Sequence, residues 1–93
     1  MTTATSQPSV DTTVEGFIDW LARRQPSLAN RGRCAGSVGV FLRWQRVQRE
    51  RGESRCTEDA YYAELCRHGA SNAHITEARR AIGLFRHYLI STD

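Results

Sequence analysis

Apolar positions along this chain recur at helical spacing and nowhere alternate over the length of a strand. Val14, Phe17, Ile18 and Leu21 fall at i, i+3, i+4 and i+7, one stripe with Trp20 beside it. Thr12 and Glu15 have capping-box spacing, so a first helix is expected to open near Thr12. Arg23 and Arg24 suit its last turn, and Pro26 stops it. A second helix is expected from about Asn30 to Arg51, capped by Ser27 or Asn30 and closed by Gly52. It carries two stripes. Cys34, Val38, Phe41 and Leu42 form one, and Val40, Trp44 and Val47 form a second, rotated one. Two stripes predict neighbours on two sides. Gly32, Gly36 and Gly39 each cost about 1 kcal/mol against Ala in a helix interior. They predict either irregular first turns or a close-lying backbone.

Thr57 is placed to cap a third helix, with Glu58 and Asp59 in its first turn and Gly69 past its end. Its apolar face is Tyr62, Leu65 and Cys66, with Tyr61 alongside. Ser71 or Asn72 opens a fourth helix. There Ile75, Ala78, Ile82, Phe85 and Leu89 recur at alternating three- and four-residue steps, the cleanest period in the chain. Ala81, Leu84 and Tyr88 widen that face. Four helices joined by short loops predict an all-α, compact four-helix bundle. Small and polar residues at 1–11 read as a disordered lead-in, 12–90 as the helical domain, and 91–93 as a tail.

Composition narrows this picture. The 93 residues are enough for one small domain. Leu, Ile, Val and Phe number only 18, so Trp, Tyr, Ala and Cys must help fill the core. No apolar run approaches membrane length, and no leader pattern opens the chain; a soluble, cytoplasmic protein is expected. All thirteen basic residues are Arg, the planar cation suited to phosphates and base edges. Residues 31–55 hold seven arginines against two carboxylates, a net +5, whereas residues 56–76 carry −2. A clustered basic segment is the footprint of a nucleic-acid binder, and equally of a solvated helix face.

Catalytic signatures are absent. There is no GxxxxGK[ST], HExxH, GxSxG or Rossmann glycine pattern, and no pair of carboxylates stands out as an acid/base couple. Cys34, Cys56 and Cys66 form no CxxC pair, and Cys66 with His68 is too close for a zinc pair. They read as small apolar filler in a reducing compartment. No metal and no cofactor are expected. The Gly69–Asn72 gap has helix-turn-helix length, which would bring Asn72, His74, Thr76, Arg79 and Arg80 to a major groove.

The stretch from Thr57 to Leu89 resembles the second half of the N-terminal core-binding domain of tyrosine recombinases (phage-type integrases), a SAM-like helical domain. The shared pattern runs through Ser71, His74-Ile75, Ala81-Ile82, Phe85 and Tyr88-Leu89 without a gap. Phe17-Ile18-Asp19-Trp20-Leu21 resembles the family's opening helix, and Phe41-Leu42-Arg43-Trp44 the end of its second. The chain departs from the family at Ala29-Asn30-Arg31-Gly32, where Ser-x-x-Thr is usual, and at Glu77, where a basic residue is common. The family's catalytic Arg, HxxR and Tyr set has no counterpart here, and Tyr61, Tyr62 and Tyr88 sit on core faces.

The resemblance implies a non-catalytic DNA-binding domain of a site-specific recombinase, bacterial or phage-encoded, from a mobile genetic element. Its second and fourth helices would lie across the major groove. The implied contacts are Arg31, Arg33 and Arg43, then His74, Thr76, Arg79 and Arg80. Implied partners are double-stranded DNA, a C-terminal catalytic domain and neighbouring protomers. Two other readings stand beside it. One is a helical protein-interaction module with Trp20, Trp44 and Val40 as its patch; the other is a dimeric helix-turn-helix regulator.

Overall fold

The computed structural model describes residues 9–24 and 31–91. It holds four helices, α1 (Val10–Arg24), α2 (Arg31–Glu50), α3 (Glu58–Arg67) and α4 (Asn72–Ser91), and no strand among the described residues. The expected lead-in up to residue 8, the stop at Pro26, the caps Ser27 and Asn30 and the last two residues lie outside those described.

Local chemistry sets the helix ends. Helix α1 starts earlier than its sequence suggests. Ser9, not Thr12, is the cap: its Oγ accepts the Thr12 N–H at 3.1 Å and its carbonyl the Thr13 N–H at 3.1 Å. The Thr12 hydroxyl turns back onto Ser9 at 2.9 Å, so Val10 and Asp11 are helical rather than part of a lead-in. Thr57 caps α3 through the Ala60 N–H at 3.2 Å, and Ser71 caps α4 through the His74 N–H at 3.1 Å. Helices α2 and α3 both close in Schellman turns. Gly52 (φ 81°) donates to the Arg49 carbonyl while Glu53 donates to that of Gln48. Gly69 (φ 79°) and Ala70 repeat the pattern on Cys66 and Leu65.

Packing pairs the helices in two hairpins. Helices α1 and α2 run antiparallel, since Asp11 meets Arg43 while Val14 lies over Gly39. Helices α3 and α4 do likewise, Glu58 meeting Arg86 and Tyr62 meeting Arg79. Helices α2 and α4 contribute to both halves of the core. One half gathers Phe17, Leu21, Cys34, Val38, Ala81 and Phe85; the other gathers Phe41, Tyr61, Tyr62, Ala78 and Ile82. Leu42 packs against both. Phe17 and Phe85 meet edge to face, centroids 5.4 Å apart at 88°, the geometry that ring quadrupoles favour. Each large side chain buried this fully contributes roughly 1.5–3 kcal/mol.

Several expected core positions lie elsewhere. Val40 and Val47 are 54% and 45% exposed, so α2's second stripe is covered only at Trp44, which packs on Phe41 and Tyr61. Short α3 reaches no further across α2, and no other described helix covers that side. Leu89 is 53% exposed at the end of α4, and Cys66 is exposed because Tyr61, Tyr62 and Leu65 already define α3's inner face. The glycines of α2 do not break it: the helix is regular from Arg31, and only Gly39 has a neighbouring helix against it. No helix among those described is long and apolar enough to cross a membrane.

Candidate nucleic-acid interface

Arg33 reaches from the start of α2 to Glu77 on α4, Nη1 to Oε2 at 3.4 Å. That pair brings the opening turns of the two helices side by side. Cys34, next to Arg33 and buried, feels both Glu77 and Arg80. Burial first, and Glu77 second, push its thiol pKa up, while Arg80 opposes them. Arg31, half-buried, opens the same helix end.

On α4 the side facing away from the core carries Thr76, Arg79, Arg80, Arg86 and His87, all exposed. None of α4's exposed residues is a carboxylate, and its one acid, Glu77, is tied to Arg33. Arg79 lies over the Tyr62 ring at 4.7 Å, a cation–π contact that presents its guanidinium without neutralising it. Among the described residues no carboxylate pairs with Arg80, nor with Arg46, Arg49, Arg51 or Arg55 toward the end of α2 and the loop after it. His74 is exposed in α4's first turn, beside the Ser71 cap.

Arg43 departs from the expected surface. It lies ten residues beyond Arg33, about 15 Å along the helix axis, and its Nη2 reaches Asp11 of α1 at 3.2 Å. It belongs to the α1–α2 hairpin, not to the α2–α4 edge. The expectation that the named arginines of α2 all share a side with α4 is corrected accordingly. Sequence reasoning also passed over Arg86 and His87. The signal was available: both continue the stripe of Arg79 and Arg80 one to two turns on.

Tyr61 and Tyr62 are buried; burial raises the pKa of both, and Glu58 raises that of Tyr62 further against the opposing pull of Arg79 and Arg86. Trp20 packs on Phe17 and Tyr88, and Trp44 on Phe41 and Tyr61, in separate halves of the core. They therefore form no common patch with Val40. Each indole Nε1 is buried with no hydrogen-bond partner among the described residues.

No family model matches the chain, and no curated protein or solved structure matches it.

Proposed function

We propose that this chain is a helical domain that binds double-stranded DNA without cleaving it. On this reading it serves as the core-binding, SAM-like part of a tyrosine-recombinase-type protein in the cytoplasm. A catalytic domain and neighbouring protomers would complete the clamp. The observation that carries the proposal is the acid-free outer face of α4, where Arg80 stands on the side of Arg33 and α2 and Arg79 lies over Tyr62 on the side of α3. Guanidinium groups so placed suit phosphate oxygens in bidentate geometry. Thr76 and His74 add short hydrogen-bonding groups at the helix start. Arg33 is held by an exposed ion pair, the kind worth about 0–1 kcal/mol, so exchanging Glu77 for a phosphate is cheap.

The test is a titration of the isotopically labelled chain with duplex DNA at low salt, followed by NMR. Shifts centred on Thr76, Arg79, Arg80 and Arg33 are expected. An unchanged spectrum contradicts the reading.

A second reading rests on one observation, the uncovered stripe of Val40 and Val47 on α2. A protein partner bound there would shift those two residues and would be insensitive to salt.

A further inference from the structure

Most of the described glycines have an internal explanation. A Cβ on Gly16 would collide with the Tyr88 hydroxyl, Gly39 lies against Val14 and Arg43, and Gly52 and Gly69 hold positive φ. Gly83 is different. It sits mid-helix in α4, its φ is ordinary, and a Cβ there would meet only the Arg86 Nη2 at 3.7 Å, an ordinary contact. Neither packing nor backbone geometry requires a glycine, which disfavours the helix relative to alanine.

What surrounds Gly83 is a recess of about 370 Å³ on the outward side of α4, bounded by Arg80, Leu84, Arg86, His87 and Ile90. The Nε of Arg86 is held by Glu58 at 3.1 Å, and that contact lays the guanidinium across Gly83. Arg80 stands one turn before the glycine and His87 one turn after it. The missing Cβ makes a notch between three nitrogen-bearing side chains. In mid-helix the backbone N–H groups are already bonded, so any ligand must be held by those side chains.

We infer that this recess seats a phosphate group, held by Arg80, the free Nη of Arg86 and His87, with the bare Gly83 backbone allowing close approach. The source is the backbone of a nucleic acid. This rests on the DNA-binding reading and extends it to the second half of α4, where the family resemblance implied no contact. Glu58 acts as a positioning residue, fixing the Arg86 fork.

Gly83→Leu and Gly83→Ala both improve the helix and fill the notch, the first completely. Melting temperature should rise by about 4 °C or more for Gly83→Ala. Affinity of the full chain for a duplex oligonucleotide should fall at least tenfold for Gly83→Leu, and duplex should shift the Gly83 amide and the His87 ring in the unmutated chain. Duplex affinity unchanged by Gly83→Leu, in a chain that Arg80→Gln does weaken, overturns the recess and leaves the DNA reading standing. Inorganic phosphate in a parallel titration distinguishes the source. Phosphate that shifts Gly83 and His87 where duplex does not overturns the nucleic-acid assignment.

Discussion

Arg33 and Glu77 tie the start of α2 to the start of α4 across 3.4 Å, with both side chains partly in solvent. Glu77 is the one carboxylate α4 contributes to the edge it shares with Arg33. Removing its charge should free Arg33 for phosphate. Glu77→Gln is expected to tighten duplex binding several-fold at low salt while changing stability by no more than about 1 kcal/mol. Fluorescence anisotropy with a labelled duplex, and urea unfolding, check the two halves. Weaker binding would show that Glu77 organises the edge and does not merely mask it.

Arg80 and Arg43 look alike in sequence, but their surroundings differ. Arg80 has no carboxylate partner among the described residues, and Arg43 is paired with Asp11 on the α1 side. Arg80→Gln should weaken duplex binding about tenfold, and Arg43→Gln less than twofold, by the same anisotropy measurement. Equal losses would return Arg43 to the binding surface.

Gly16 lets the end of α4 close on α1, because a Cβ there would overlap the Tyr88 hydroxyl. Gly16→Ala should therefore destabilise by about 1–3 kcal/mol, offset in part by alanine's better helix propensity. Adding Tyr88→Phe removes the obstructing oxygen and should recover most of the loss. A double-mutant cycle by thermal unfolding measures that coupling.

Burial raises the phenol pKa of Tyr61 and Tyr62 above the unfolded value. A folded pKa above the unfolded one means that the stabilisation is complete below the unfolded pKa of about 10. It is lost as pH climbs through the folded value. Urea midpoints should hold from neutral pH to about pH 9 and then fall steeply. Tyr62→Phe should blunt the alkaline fall. Glu64 works in the opposite sense: hydrogen bonds from Arg67 and then His68 lower its pKa. Its contribution is present above the unfolded carboxylate value and fades as pH drops through the folded one.

The helices were readable in the sequence because their signals are local. Thr57, Ser71, Gly52 and Gly69 act within four residues of where they stand, and each cap or stop has the predicted partner bond or backbone angle. The all-α bundle follows from the same periodicity. Ser9 was missed because Thr12 offered an equally good local pattern, and only the hydroxyl pairing between them decides the start. Val40 and Val47 were misplaced for a different reason. Periodicity reports which side of a helix is apolar, not whether a neighbour exists to cover it. The basic edge was legible as a charge count over residues 31–55, but the count could not separate Arg33, which reaches α4, from Arg43, which reaches α1. That separation depends on helix crossings, which are long-range.

If arginines on the outer face of α4 and at its edge with α2 grip DNA phosphates, as proposed, duplex binding must depend steeply on salt. With about four phosphates neutralised, log K should fall against log salt with a slope near about −3.6, or roughly a hundredfold loss between about 50 and about 200 mM. Affinity that stays flat across that range, or no detectable binding at its lower end, would contradict the account.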